Sequence, residues 1–275
     1  MCQTRYSTRS SCNEHVLPNG PGIAVSNTPD VVNKSTATLT MSLILMCCRR
    51  LQYFRNTLYE GRWRGDMRFG FDPQGQTLGI LGQGRIGTEV AKLAKAFEMR
   101  VQYHNRTPLP DKNNTSNAKY VSFEQLLESS DVLTIHAPLN ESTRHVIAAS
   151  EISKMKRGAI LVNTSRGSVV DESALLEALD RDHLSCVGLD VFENEPEVSE
   201  DLRLHGKCVL TPHIGSATFE TQLAMEDLAA QNAEMAILDG KLKTPVPESI
   251  KMGEEKTLTA FKSSVECKMT ITCWA

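Results

Sequence analysis

The sequence has no apolar run long enough to cross a bilayer. Its longest run, MSLILMCC at 41–48, has eight residues, whereas a membrane-spanning helix needs roughly 20. The first residues, MCQTRYSTRSSCNEH, also lack the apolar stretch of a secretory signal. We therefore expect no membrane partner and a cytoplasmic location.

Strong charge and metal-type cysteine spacing are also absent. The 275 residues carry a formal net charge of −3, which predicts no basic surface for nucleic acid. The eight cysteines form no CxxC pair, and several lie in apolar runs, where a thiol behaves as a small hydrophobic side chain. We therefore expect no metal site, no nucleic-acid partner and a reducing compartment.

What is present is an ordinary globular composition, 40% hydrophobic and 23% charged. Short apolar runs typical of strands alternate with amphipathic runs typical of helices. Strands are predicted at 22–29, 77–81, 100–104, 131–136, 159–165, 186–192 and 208–212. Helices are predicted at 35–59, 85–97, 171–180 and 216–240, with one more starting at Ser122. This alternation predicts the α/β class, a doubly wound parallel sheet, in which ligands bind beyond the carboxyl ends of the strands.

Three of the predicted helix ends carry capping signals. Ser122 with Gln125 forms a capping-box pattern. Asp171 is a favourable N-cap, and Gly240 is a favourable C-cap. These signals fix where the helices should begin and end.

A G-x-G-x-x-G pattern, Gly82-Gln-Gly84-Arg-Ile-Gly87, follows a predicted strand and opens a predicted helix. In that context it is typical of dinucleotide binding. Gly82 permits the tight turn, Gly84 lets a pyrophosphate approach the backbone, and Gly87 packs helix on strand. The amides near Arg85 and Ile86 would then face the phosphates at the helix N-terminus. The alternative is that the glycines serve only a turn.

The residue that reads the cofactor ribose is expected at the end of the second strand, at Asn105, 23 residues after Gly82. An NAD enzyme usually has Asp or Glu there, to accept a hydrogen bond from the ribose 2′-hydroxyl. Asn105-Arg106 offers no carboxylate to repel a 2′-phosphate, and Arg106 is placed to pair with one. We therefore predict NADP as the cofactor. Use of NAD stays open, and so does the interpretation of Arg106 as a solvated loop residue.

Three polar residues, Arg166, Glu195 and His213, each lie just past the end of a different predicted strand. Parallel strands end at one edge of the sheet, so the three side chains can converge there. An arginine holds a carboxylate, a histidine passes a proton at neutral pH, and a glutamate orients the ring. This set suits hydride transfer to a 2-oxo acid. Individually, each residue could instead be a structural or solvated one.

The sequence resembles the D-isomer-specific 2-hydroxyacid dehydrogenases over roughly 22–247. The stretches that carry the resemblance are VSNTPDV, GILGQGRIGTEVAKLAKAF, TIHAPLNESTRHVI, KMKRGAILVNTSRGSVVDESALLEAL, GLDVFENEP and LTPHIGSAT. HNRTPLP and GKLKTPVPE are closest to the glyoxylate/hydroxypyruvate reductase branch. Glu195 argues against the related formate dehydrogenases, which would have Gln as the partner of this histidine.

The resemblance implies roles for particular residues. It implies that Arg166 binds substrate and that Glu195 and His213 form the acid/base pair. It implies that Asp190 contacts the nicotinamide carboxamide. Three further positions match residues that line the cofactor cleft: Pro138, Thr143 and Thr164.

The ends of the chain depart from the family pattern. Members begin with a substrate domain of about 100 residues, of which only a remnant is predicted here, without its glycine-rich loop. The predicted organisation is an unmatched stub, this remnant, the dinucleotide-binding domain with its linking helix, a C-terminal helix returning to the substrate side, and an unmatched tail. Their limits are 1–19, 20–34, 35–215, 216–247 and 248–275. With one wall of the cleft missing, we expect cofactor binding but slow turnover.

Two functions follow from these observations. The first is an NADPH-linked reductase of a small 2-oxo acid of the glyoxylate or hydroxypyruvate kind. The alternative is a dinucleotide-binding pseudoenzyme or interaction module with weak or no turnover. A homodimer is also predicted, because the helix at 35–59 is more apolar over MSLILMCC than one covering face requires.

Overall fold

The computed structural model describes residues 25–67, 69–110, 114 and 116–246. The predicted stub at 1–19 and tail at 248–275 lie outside these residues. The chain divides into two units, Asn33–Gly215 and a second one of which the structure describes residues 25–32 and 216–246. No helix in the described residues is long and apolar enough to span a membrane.

The first unit is built on a seven-stranded sheet in which all neighbouring strands are parallel. The strands are β1 (Thr77–Leu81), β2 (Arg100–His104), β3 (Lys119–Tyr120), β4 (Val132–Ile135), β5 (Ala159–Asn163), β6 (Leu184–Leu189) and β7 (Cys208–Leu210). Their order across the sheet is β3-β2-β1-β4-β5-β6-β7. The order reverses direction between β1 and β4, which is where such sheets bind ligands. The predicted doubly wound α/β class is confirmed.

The helices of this unit cover both faces of the sheet. They are α1 (Asn33–Cys48), α2 (Leu51–Tyr59), α3 (Arg85–Ala96), α4 (Phe123–Ser129), α5 (Ala149–Lys154), α6 (Glu172–Asp180) and α7 (Glu200–Leu204). Successive strand residues point to opposite faces, so Ile160 and Val162 join one buried cluster while Leu161 between them joins the other. One cluster contains the buried face of α1 and α3, and the other contains that of α4, α5 and α6.

The predicted caps are present. The Ser122 hydroxyl accepts a hydrogen bond from the amide of Gln125 at the start of α4. The Asp171 carboxylate accepts from the amides of Ser173 and Ala174 at the start of α6. These bonds satisfy amides that the helix itself leaves without a partner.

The single helix predicted at 35–59 is wrong. The chain forms α1 and α2 instead, separated at Arg50, whose φ of 49° is left-handed. Apolar side chains of the run MSLILMCC pack inside this unit, since Met41, Leu43 and Ile44 are at most 4% exposed. The short elements β3, α5 and α7 were not predicted, because two to six residues are too few for a periodic pattern.

The second unit contains one long helix, α8 (Phe219–Asp239). The Thr218 hydroxyl caps its start, and Gly240, with a φ of 66°, ends it as predicted. Of the strand predicted at 22–29, residues 22–24 lie outside the described part of the chain. Ser26 forms a single antiparallel bridge with Pro245, and the Asn27 amide donates to the Thr244 carbonyl at 3.2 Å.

Candidate active site

The glycine-rich loop between β1 and α3 is open at Gly84. A Cβ added at Gly84 would meet no heavy atom within 4 Å apart from the adjacent residues. Gly82 has a φ of 92°, which disfavours any side chain, and a Cβ there would lie 2.8 Å from the Ala137 amide nitrogen. A Cβ at Gly87 would lie 2.8 Å from the Gly82 carbonyl oxygen. The loop is therefore closed on its protein side and open at Gly84.

The start of α3 completes this cradle. Gly84 is the N-cap, and no side chain caps the helix there. Arg85 and Ile86 form its first turn, where amide groups and the helix dipole favour an anion. The residues present thus fit the pyrophosphate of a dinucleotide.

Asn105, just beyond β2, is fastened to this loop. Its Oδ1 accepts from the Gln83 amide at 2.7 Å, and its Nδ2 donates to the Gln83 carbonyl at 3.3 Å. Its predicted contact with the ribose stays a prediction. Arg106 is exposed and makes no hydrogen bond or ion pair within the described residues, so its guanidinium is available to a ligand.

The structure brings two of the three predicted acid/base and substrate residues into direct contact. His213 Nδ1 lies 2.7 Å from Glu195 Oε2. The other carboxylate oxygen of Glu195 accepts from the Phe192 amide at 2.9 Å. Since an ionised carboxylate only accepts, Nδ1 of His213 carries the proton that joins the pair. The other ring nitrogen, Nε2, is left for a further partner.

Arg166 lies close enough for its charge to act on Glu195. Within the described residues its guanidinium makes one hydrogen bond, from Nη1 to the Ser165 carbonyl at 2.5 Å. Burial lowers the pKa of Arg166 and Glu195 raises it, but a guanidinium keeps its proton in proteins. Most of its donors therefore remain available for a carboxylate.

The pKa of Glu195 reflects these neighbours. Burial alone would raise it, but the hydrogen bond and charge of His213, the Phe192 amide and the charge of Arg166 together hold the pKa below its ordinary value. Glu195 is therefore ionised at neutral pH.

Asp190 has a contact set that the sequence did not reveal. The residue is 1% exposed. Its carboxylate accepts from the Thr211 hydroxyl at 2.7 Å and from the amides of Ile214 and Gly215 at 2.8 and 2.9 Å. Burial raises the pKa of Asp190, although these hydrogen bonds act to lower it. Asp190 thus ties the turn that carries His213 to the end of β6, while its predicted contact with the nicotinamide stays a prediction.

The three residues predicted to line the cleft have structural hydrogen bonds. The Thr143 hydroxyl donates to the Pro138 carbonyl at 2.6 Å and accepts from the Asn140 amide at 2.8 Å, which shapes the turn after β4. The Thr164 hydroxyl, at the end of β5, lies 2.8 Å from that of Thr40 in α1. Both turns lie at the carboxyl edge of the sheet.

A second histidine–glutamate pair was missed by the sequence reasoning. His145 Nε2 lies 3.0 Å from Glu193 Oε2. Glu193 Oε1 accepts from the Glu172 amide, and the Glu193 amide donates to Glu172 Oε1, at 3.0 and 2.8 Å. The pair comes from loops that no local motif joins, so only the fold could show it. The bonds between Glu193 and Glu172 hold the segment leading to Glu195 against the start of α6.

Within the described residues, no group of three or more His, Cys, Asp or Glu side chains is placed to hold a metal ion. The residues gathered here instead share one edge of the sheet. The glycine-rich loop follows β1, Arg166 follows β5, Glu195 follows β6 and His213 follows β7. The edge therefore combines a loop that fits a pyrophosphate with groups whose chemistry suits binding of a carboxylate and transfer of a proton.

Comparison with known proteins gives a concordant result. A sequence profile for the D-isomer specific 2-hydroxyacid dehydrogenase NAD binding domain matches residues 41–215. The 4-methyl-2-oxopentanoate reductase A of Aspergillus oryzae is 48% identical over 227 residues, covering 82% of this chain and 69% of that protein.

Two solved structures are also similar. A glyoxylate reductase from Paecilomyes thermophila is 47% identical with a TM-score of 0.79, covering 82% of this chain and 69% of the other. An NADPH-dependent glyoxylate/hydroxypyruvate reductase from Sinorhizobium meliloti, in complex with NADP and malonate, is 34% identical with a TM-score of 0.76, covering 90% and 76%. By profile, sequence and fold, this chain belongs to the D-isomer specific 2-hydroxyacid dehydrogenases, a family of NAD(P)-dependent oxidoreductases that act on 2-oxo and 2-hydroxy acids.

Proposed function

We propose that this chain reduces a small 2-oxo acid with NADPH. Arg166 holds the substrate carboxylate, His213 gives a proton to the carbonyl oxygen, and Glu195 orients the imidazole. The observation that carries the proposal is the 2.7 Å contact between His213 Nδ1 and Glu195, beside the charge of Arg166. It leaves Nε2 of His213 as the proton donor.

The reduced nicotinamide would supply the hydride that adds to the carbonyl carbon. As the carbonyl bond opens, negative charge grows on the oxygen, and a positive group next to it stabilises that charge. His213 neutralises it by transferring the proton from Nε2. Arg166, with most of its donors available, fixes the carboxylate and so places the carbonyl beside His213. In the reverse direction, His213 takes the proton from the 2-hydroxyl.

The glycine-rich loop and the end of β2 would hold the cofactor. Gly84 and the first turn of α3 suit the pyrophosphate, and the exposed Arg106 suits a 2′-phosphate. The related reductase from Sinorhizobium meliloti was solved with NADP, which supports the preference for NADPH. Arg106→Ala should remove most of that preference in a fluorescence titration. Equal affinities of the unmodified chain for NADPH and NADH would contradict it.

The function is tested by following NADPH absorbance with the purified 275-residue chain and a panel of 2-oxo acids. Glyoxylate, hydroxypyruvate and 4-methyl-2-oxopentanoate form the panel, since related proteins carry the names of reductases for such acids. We expect oxidation of NADPH that depends on the acid and is lost in Arg166→Ala. Tight NADPH binding with no turnover of any acid would favour the binding-module alternative.

A second copy of the chain is the proposed partner. The support is a run of exposed apolar side chains on and after α2, with Leu58 56%, Tyr59 77%, Trp63 70% and Phe69 78% exposed. Sedimentation at tens of micromolar should show a dimer, and Trp63→Lys should shift it toward the monomer. A monomer at that concentration would remove this proposal.

The cytoplasmic location also remains a proposal. The described cysteines Cys47, Cys48, Cys186 and Cys208 are free and buried. Free thiols in the core suit a reducing compartment. Fractionation of cells that express the tagged chain would test it, and recovery in a secreted fraction would contradict it.

A further inference from the structure

Gln83, the residue between the first two glycines of the loop, is joined to the segment that follows β2. It is 0% exposed. Its backbone amide and carbonyl both bond to the carboxamide of Asn105. Its side chain extends further, because Nε2 donates to the Ser116 hydroxyl at 3.0 Å and to Asn114 Oδ1 at 3.3 Å. We call these four residues, Gln83, Asn105, Asn114 and Ser116, the amide clamp.

The far side of the amide clamp is itself well ordered by hydrogen bonds. Asn114 Nδ2 donates to the Ala118 carbonyl at 2.8 Å, and the Ala118 amide donates back to Asn114 Oδ1 at 3.2 Å. The Ser116 hydroxyl donates to Asn114 Oδ1 at 3.1 Å, and Ser116 is 2% exposed. Gln83 is therefore bonded to residues that are themselves joined by hydrogen bonds to each other and to Ala118.

One atom of the clamp has no partner. Gln83 Oε1 is buried and accepts no hydrogen bond within the described residues. A buried acceptor without a donor is destabilising, whereas an apolar side chain of the same shape would avoid that penalty. Core stability alone therefore does not explain a glutamine here. What the glutamine side chain adds is a tie from the glycine-rich loop to Asn114 and Ser116, beyond the end of β2.

This tie matters because the two segments would hold different parts of one cofactor. The glycine-rich loop would hold the pyrophosphate, and Arg106, adjacent to clamp residue Asn105, would pair with a phosphate at the ribose 2′-position. Only NADPH carries a phosphate at that position. A displacement of Arg106 relative to the loop would therefore weaken the binding of NADPH and leave the binding of NADH nearly unaffected.

We infer that Gln83 is a positioning residue that sets the selectivity for NADPH. Its backbone holds Asn105 and its side chain holds Asn114 and Ser116, so the stretch that contains Arg106 is tied to the pyrophosphate site at both of its ends. This inference rests on the proposed cofactor preference. It assigns selectivity to a side chain that itself touches neither the 2′-phosphate nor the substrate. A role in folding alone would change both cofactors equally.

The test is Gln83→Met in the full chain, with dissociation constants for NADPH and NADH from fluorescence titration and folding monitored by thermal unfolding. Methionine keeps the length and removes the side-chain hydrogen bonds to Asn114 and Ser116, while the backbone bonds with Asn105 remain. We expect the NADPH constant to rise roughly tenfold and the NADH constant by less than about twofold. The matched control is Gln102→Met. Gln102 is also buried and its Nε2 also donates to serine hydroxyls, Ser129 and Ser130, but it lies within β2. The control should leave the ratio of the two constants unchanged.

Each outcome decides the matter. An equal rise for both cofactors, or no rise, overturns the inference. An unmodified chain without preference overturns the cofactor proposal first, and this inference with it. Should Gln83→Met fail to fold, Ser116→Ala removes the same hydrogen bond from the far side. This substitution should raise the dissociation constant for NADPH alone by roughly threefold. An unchanged ratio of the NADPH and NADH constants would overturn the inference.

Discussion

The nucleotide half of the site and its chemical half are built in different ways. The nucleotide half, from Gly82 to Arg106, occupies one short stretch and works mainly through backbone: a left-handed turn, an open N-cap and the amides of α3. The chemical half draws single side chains from the ends of β5, β6 and β7 and fixes them by hydrogen bonds. The first depends on where side chains are absent, and the second on which side chains are present.

Exposure does not separate the halves, since Glu195 and His213 are exposed as Arg106 is. What separates them is the proposed partner of each half. The chemical half would act on the substrate, so substitutions there should reduce turnover. The nucleotide half would hold the cofactor, so substitutions there should reduce cofactor affinity.

The largest expected effect tests this separation in the chemical half. In a chain that turns over a 2-oxo acid, His213→Ala should lower kcat roughly 10²- to 10⁴-fold, because the proton donor is lost. The dissociation constant for NADPH should stay unchanged. His145→Ala is the matched control, since it removes a similar His–Glu pair with a 3.0 Å contact. Equal losses from the two variants would mean that His213 has no special role.

The same difference explains how much the sequence could predict. The spacing of Gly82, Gly84 and Gly87 predicts the loop because all its parts are local. The convergence of Glu195 and His213 followed from one rule about parallel strands. The hydrogen bonds by which Asp190 anchors the His213 turn could not be predicted in this way. A single aspartate at the end of an apolar strand belongs to no sequence pattern that indicates its hydrogen-bond partners.

The break in the first helix shows another limit of the sequence. The apolar pattern continues from α1 into α2, but Arg50 turns the chain with a left-handed φ of 49°. No glycine, asparagine or proline announces this turn. Tertiary packing of α1 on the sheet therefore decided the helix end, rather than local propensity.

An intermediate effect is expected from filling the open space in the nucleotide half. Gly84→Ala places a methyl group where the structure has no atom within 4 Å, so the fold should tolerate it while a phosphate loses its close approach. The NADPH constant should rise roughly ten- to hundredfold, the value of one hydrogen bond to a charged group. Gly206→Ala, which also meets nothing within 4 Å, is the control at the other edge of the sheet. Unchanged affinity in Gly84→Ala would show that the loop does not approach the phosphates.

The smallest expected effect concerns the seam between the halves, where His136 follows β4. Burial lowers the pKa of His136 to about 4, and its Nε2 lies 3.0 Å from the Thr134 hydroxyl. In the unfolded chain His136 is protonated below about pH 6.5, whereas in the folded chain it stays neutral until about pH 4. The contribution of His136 to stability should therefore be fully present above pH 6.5 and be lost as the pH drops toward 4, by about 1–2 kcal/mol at pH 5.

Urea unfolding at pH 7.5 and pH 5 measures this loss of stability, and His136→Gln is expected to make it smaller. At pH 5 the carboxylates with lowered pKa, Asp131, Asp171 and Glu195, remain ionised in the folded chain. The pKa values of Glu172 and Asp190 are raised by burial, and that contribution is common to the variant and the unmodified chain, so it cancels in the comparison. An identical pH dependence in the variant would show that His136 takes up its proton as easily in the folded chain as in the unfolded one, and that the seam is open to water.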